Sequence, residues 1–511
     1  MATPSEKLAE SLKVLRAIQQ GGTAAIRSGD LSRTHRERLL KNGFLEEVMK
    51  GWYVPARPDE QAGESTAWYA TFWGFCAAYL GDRFEQNWCL SPEQSLFLHA
   101  GNWTVPQQLL VRAPRGGNKP KELPYGTSIF DVRASLPKVG QKDTLNGLIV
   151  FSLPAALVQI GPGMFRANAT DVRAILAMVQ DESEILSILL NGGHSVIAGR
   201  LAGAFRNIGR EKVADGILEG MKSADYKVSE VDPFEEPSSI LFAAREASPY
   251  VTRMRLDWLS MRNDIIDMFP QAPQSEIDTD AYMKNIEDVY VTDAYHSLSI
   301  EGYQVSEELI EKVRDGVWNP DDDEDRKHRN AMAARGYYDA FLVVNKSVRK
   351  VLDGADASDV ADADHSKWYR ELFSPSVTAG ILQPGDLAGY RNAPVYIRQS
   401  MYTPPAKEAV RDLLPAFFDL LREEESGAVR VVLGHFMFVF IHPYIDGTGR
   451  MGRFLMNVMM ASGGYPWTVI TVDGCDEYMA ALEQASVHKN IKPFTKFLAK
   501  NVNVAKQGKN I

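Results

Sequence analysis

The run VRVVLGHFMFVFI, Val429 to Ile441, is apolar at nearly every position, and HPYIDGTGRMGR, His442 to Arg453, follows it directly. A helix that is hydrophobic almost all round must lie at the centre of its domain. Pro443 disfavours helical geometry at His442, so the helix is predicted to stop there with the imidazole facing a loop. Gly447 and Gly449 flank Thr448, and glycines let a backbone approach an anion closely and turn several N–H groups toward it. The next stretch, RMGRFLMNVMMASGG, starts a second helix whose N-terminus adds its dipole to the same place. Arg450 and Arg453, on the first turns of that helix, project to one side and can hold separate phosphates. Asp446 supplies a hard carboxylate for Mg²⁺. A P-loop is excluded because no Gly-Lys-Ser/Thr follows, and a dinucleotide fold because no strand precedes.

The rest of the chain has the balance of a globular protein of about three domains. Of its 511 residues, 45% are hydrophobic and 24% charged, and the net charge is −10. That charge argues against a protein that coats nucleic acid along its whole surface. The three cysteines, Cys76, Cys89 and Cys475, are widely spaced and suit a reducing cytoplasm better than a disulfide framework. No leader-like or membrane-spanning apolar stretch is evident, so a cytoplasmic chain with no membrane partner is expected.

Four regions are predicted. Residues 1–58 carry a helix (EKLAESLKVLRAI), a short helix (TAAIRSGD), a basic helix capped at Ser32 (SRTHRERLLKNG) and a hairpin (FLEEVMKGWYVP), the plan of a winged helix. Arg33, Arg36 and Arg38 are the candidate DNA contacts on the basic helix, although such a charge run also suits a solvated face. Residues 59–182 mix helices (YATFWGFCAAYL; SPEQSLFLHAG, capped at Ser91) with strand-like QQLLVRA, TSIFDVRA and GLIVFSLPAAL. Residues 183–277 form a helical segment and linker, and residues 278–511 a mainly helical C-terminal domain. The acidic run NPDDDEDRK, Asn319 to Lys327, reads as a solvated helix entry.

HPYIDGTGRMGR resembles the HPFx[D/E]GNGRxxR motif of the Fic family (filamentation induced by cAMP), a resemblance extending over about Asp278 to Val502. It implies a multidomain, mainly α protein with an all-α Fic core and a β-hairpin flap. The implied activity is transfer of AMP from ATP, with Mg²⁺, to a Ser, Thr or Tyr hydroxyl of a target protein. On this resemblance His442 is the general base, Asp446 the metal ligand, and Gly447, Thr448 and Gly449 the anion hole. Arg450 and Arg453 hold the β and γ phosphates, and Tyr478 lies near the adenine. Val395, Tyr396 and Ile397 belong to the flap that docks the target backbone. Two departures are Tyr444 for the usual Phe and Thr448 for the usual Asn. The first third of the chain, through LSRTHRERLLKNGFLEEVMKGWYV and SPEQSLFLHAGNWTVPQQLLVRAP, is similar to the antitoxin and regulator proteins of abortive-infection toxin–antitoxin pairs.

SLSIEGY, Ser297 to Tyr303, matches the family's inhibitory pattern [S/T]xxxE[G/N] through Ser297, Glu301 and Gly302. Ser297 and Glu301 are four apart and share a helix face, and Gly302 should end the turn. The resemblance places Glu301 against Arg453, in the slot of the γ-phosphate, which implies auto-inhibition. Two alternatives remain from the sequence: a DNA-binding, antitoxin-like regulator using the Fic part as a nucleotide sensor, or transfer of phosphate or UMP, which Thr448 leaves open. A homodimer is compatible with either.

Overall fold

The computed structural model describes residues 3–20, 25–56, 65–242, 244–273, 277–317 and 325–507, the side chains of 325–328 excepted. The expected boundary at residue 58 and the acidic stretch 319–324 lie outside them. The chain divides into two compact units: Met1–Arg253 with Tyr396–Thr403, and Met254–Val395 with Pro404–Ile511.

The first unit opens with helices Pro4–Gln20 and Arg33–Lys41 and a small antiparallel sheet of Ile26–Arg27, Leu45–Met49 and Trp52–Pro55. The Ser32 side chain caps the second helix by accepting from the His35 N–H. Leu15, Ile26, Leu31, Leu39, Leu45 and Tyr53 form one buried cluster. TAAIRSGD does not form the expected helix. Buried Ile26 pairs with Tyr53 in the sheet, and Asp30 accepts a hydrogen bond from the Arg27 N–H at 2.8 Å, closing a turn. Sheet pairing has overridden a weak local propensity.

Further along this unit lies a four-stranded mixed sheet. Gln108–Ala113 and Ser128–Arg133, where strands were expected, pair in parallel. GLIVFSLPAAL splits: Leu148–Phe151 is a strand, and Leu153–Gln159 is a helix whose first turn accommodates Pro154. The segment 396–403 packs with this unit, where the Val105 N–H donates to the Met401 carbonyl and the Gln399 N–H to Thr66 Oγ1.

The second unit is helical. Its elements include Thr279–Ile300, Asp325–Leu352, Ala357–Thr378, Val410–Glu423, Gly427–Ile441, Thr448–Ser462, Cys475–His488 and Lys492–Lys506. Asp278, Ser306, Asp356 and Ser426 each cap a helix start with a side-chain oxygen. The helix Gly427–Ile441 is buried along nearly its whole length, as its apolar pattern requires, and Thr448–Ser462 is buried as deeply although it carries Arg450, Arg453 and Asn457. Among the described residues no helix is long and apolar enough to cross a membrane.

Candidate active site

The helix Gly427–Ile441 ends on His442, which takes the left-handed conformation with φ 52° and ψ 64°. Such geometry is uncommon for a side chain bearing Cβ and persists only where the surroundings enforce it. Pro443 forbids the helical alternative. The His442 N–H still donates to the Phe438 carbonyl at 3.1 Å. Arg391, buried, donates from Nε to the His442 carbonyl at 2.7 Å, and its own N–H donates to the Pro443 carbonyl at 2.9 Å. Its guanidinium also reaches the carbonyls of Ala393 and Pro405. Nothing in the motif points to Arg391, which lies far upstream in GYRNAPVY.

Burial, reinforced by the Arg391 charge, pushes the His442 imidazole down to about 4. The ring is therefore neutral at pH 7 and can accept a proton. This lies below the near-neutral value expected of a tuned base, and an anion bound beside it would raise it.

Gly447 has φ 81°, and a Cβ there would stand 2.7 Å from the Phe373 ring, so the loop requires glycine twice over. Thr448 Oγ1 sits 3.3 Å from the Tyr444 carbonyl, to which it donates, and 3.4 Å from the Tyr444 N–H, from which it accepts. The hydroxyl thus closes the loop on itself, and Tyr444 stacks on Tyr369 at 4.0 Å between centroids. Asp446 accepts from the Gly447 N–H at 2.6 Å and from Arg450 at 3.1 Å, while its side chain stays 54% exposed. Among the described residues no group of three or more His, Cys, Asp or Glu could hold a metal. A cation here would have Asp446 as its carboxylate ligand.

Arg450 is buried between two rings, its guanidinium carbon 5.2 Å from the Tyr303 centroid and 5.0 Å from that of Phe373. Arg453 donates from Nε to Ser297 Oγ at 2.8 Å, and from its terminal nitrogen to the Ser297 carbonyl at 3.0 Å and Glu301 Oε1 at 2.8 Å. The helix Thr279–Ile300 is capped by Glu301, and Gly302 turns the chain away with φ 83°. A Cβ on Gly449 would collide with Glu301 Oε1. The carboxylate therefore occupies the space over the first turn of Thr448–Ser462, where helix dipole and arginines favour an anion. Burial works against its charge, yet Arg453 and Arg450 outweigh that and hold its pKa below the ordinary carboxylate value.

Residues 364–460 match the Fic/DOC family. The matched residues contain the whole loop from His442 to Arg453 and the Phe373 ring, while Ser297, Glu301 and Tyr303 lie ahead of them. The chain is 26% identical over 219 residues to the protein adenylyltransferase Fic of Nematostella vectensis, covering 42% of this chain and 47% of the relative. It is 28% identical over 246 residues to the protein adenylyltransferase Fic of Aedes aegypti, 47% and 45% of the respective lengths. The chain thus spans about half the length of the curated relatives it matches. Among solved structures, Fic-1 from C. elegans aligns with 19% identity and a TM-score of 0.37, over 64% of this chain and 91% of that one.

Other expected residues fall elsewhere. Tyr478 is 1% exposed and its hydroxyl pairs with His435 Nε2 at 2.7 Å, so it packs in the core of the helical unit instead of opening toward a base. Residues 390–402 form no strand, which corrects the expected β-hairpin flap. Pro394 has no N–H to donate, Gln399 is left-handed with φ 57°, and a lone segment has no second strand to complete a ladder. Exposure does alternate, with Val395 and Ile397 half-buried and Tyr396 and Arg398 exposed. Tyr396 and Ile397 belong to the first unit and Val395 to the second. In the first unit Arg33 pairs with Glu37, Arg36 donates to the Ser28 carbonyl, and Arg38 donates to the Lys7 carbonyl and Ser11.

Proposed function

We infer that the C-terminal unit is a protein adenylyltransferase that moves AMP from ATP to a Ser, Thr or Tyr hydroxyl of a target protein and of this chain. We infer further that Glu301 holds it inactive. The observation that carries this reading is the Glu301 carboxylate seated on Arg453 and against Gly449. A site built to grip an anion is here filled by one from its own chain.

Neutral His442 accepts the hydroxyl proton while that oxygen attacks the α-phosphorus, and the bond to the bridging oxygen breaks to release pyrophosphate. Such transfer depends on alignment and charge neutralisation more than on covalent help. Arg450, clamped between its rings, faces one phosphate, and Arg453 takes another once Glu301 leaves. Thr448 keeps the loop closed in the role that an asparagine amide fills in the family motif. Asp446 would hold Mg²⁺, which would supply positive charge against the phosphates. With the carboxylate in place, ATP must compete with it for Arg453.

Intact-mass measurement of Glu301→Gly protein after incubation with ATP and Mg²⁺ tests the reading. An added AMP mass that disappears in Glu301→Gly/His442→Ala supports it. A phosphate mass would mean the nucleotide binds reversed, and no added mass would favour a nucleotide-sensing regulator.

A further inference from the structure

A cavity of about 410 Å³ opens beside the phosphate loop, lined by Glu301, Tyr303, Asn330, Asp446 and, from outside the Fic motif, Arg329. Asp446 and Glu301 mark it as continuous with the anion cradle. Arg329 is exposed, and its guanidinium carbon lies 5.8 Å from the centroid of the Tyr303 ring. Arg450 lies 5.2 Å from the same ring. One tyrosine therefore carries two arginines, one buried in the cradle and one at its mouth. Asn330, next to Arg329, donates from its side-chain amide to the Gln304 carbonyl at 2.8 Å, which ties the start of the helix Asp325–Leu352 to the turn that follows Glu301.

We propose that Arg329 is a third phosphate-binding arginine, one that contacts the outermost phosphate of a nucleoside triphosphate and so selects for polyphosphate length. The proposal rests on the nucleotide reading above. A contact between an exposed guanidinium and a tyrosine face is weak, whereas a guanidinium and a phosphate form charge-assisted, often bidentate hydrogen bonds. An anion entering the cavity can therefore draw Arg329 off Tyr303 without breaking an ion pair. Arg450 has no such freedom, enclosed by two rings and Asp446. Arg453 is engaged by Glu301 until the brake opens. Arg329 is the arginine at this cavity that needs neither event to meet a ligand.

The test compares full-length Glu301→Gly with Glu301→Gly/Arg329→Ala, titrated calorimetrically with α,β-methylene-ATP and, separately, with AMP. The expected result is triphosphate affinity lowered five- to thirtyfold with AMP affinity unchanged, and partial recovery in Arg329→Lys. Triphosphate affinity within twofold of the parent overturns the proposal. So does equal weakening of AMP, which would mark a general structural role. If the Glu301→Gly parent binds neither nucleotide, the nucleotide reading itself falls and takes this one with it.

Discussion

Glu301 and Arg453 meet at 2.8 Å although 152 residues separate them in the chain. Arg453 is almost wholly enclosed and Glu301 is 23% exposed at its side chain. The pair is thus shielded enough to matter and accessible enough to be displaced. Ser297 holds Arg453 from a second direction, so the arginine keeps partners when the carboxylate departs.

Removing the carboxylate should free the slot without collapsing the site. Glu301→Gly is expected to raise self-modification with labelled ATP at least tenfold, since about 1.4 kcal/mol in the closed-to-open balance is a tenfold change in competent protein. Radiolabel incorporation over time measures it, and equal rates in the two proteins would remove the brake.

As the proposed base, the His442 imidazole, held at about 4 by burial and Arg391, would set an acid limit for the free protein. A base works only when deprotonated, so activity should be full above that value and fall as pH drops through it. Glu301 raises the imidazole's pKa, and its removal moves the limit lower still. In Glu301→Gly, kcat/KM against pH is expected to stay flat from about pH 5.5 to 7, because this ratio reports groups of the free enzyme. An inflection near 6.5 would place the ring in water.

Asp293, one turn before Ser297 and fully enclosed, is pushed up to about 6 by burial, despite the 2.8 Å hydrogen bond it accepts from the Tyr337 hydroxyl. A raised carboxyl pKa means the folded protein holds the proton more tightly than the unfolded chain. Its cost is absent below about pH 4, grows as pH rises, and is complete above about pH 6, at an order of 3 kcal/mol. Asp293→Asn, which can still accept from Tyr337, should raise Tm at pH 7.5 and change it little at pH 4. Equal shifts at both pH values, read by thermal unfolding, would contradict this.

Thr448 closes the glycine loop through the backbone N–H and carbonyl of Tyr444. Thr448→Val keeps the shape and deletes the hydroxyl, costing about 1 kcal/mol of order in the loop. The expected effect is roughly fivefold weaker triphosphate binding in the Glu301→Gly background with near-normal Tm. Unchanged affinity would mean that the glycines alone hold the loop.

Gly447→Ala should be more severe. A methyl group there meets the Phe373 ring, and the backbone conformation is strained besides. A loss of about 1–3 kcal/mol is expected, together with loss of nucleotide binding. Denaturant midpoints and calorimetry would show both, and a near-native variant would mean that the loop can shift.

Local chemistry made much of this legible in the chain itself. An all-round apolar run pointed to a central helix, Pro443 to its end at His442, and the glycine pair to a tight turn before the next helix. The resemblance picked out Ser297, Glu301 and Gly302, and helical spacing put the first two on one face with Gly302 ending the turn. These features depend on residues within a turn or two of each other, and short-range sterics decides them.

Contacts across long stretches of chain were decided by the tertiary structure. Arg391 reaches the carbonyls around His442 only because the fold returns there. Tyr303 holds two arginines from different helices, and Tyr478, which the resemblance places near the adenine, is enclosed with His435 in the helical core. Ile26–Arg27 became a short strand because a neighbouring hairpin offered hydrogen bonds, and residues 390–402 remained irregular because no second strand was supplied. A backbone donor and a guanidinium are satisfied by whatever packing brings near them, and a linear pattern carries no record of that partner.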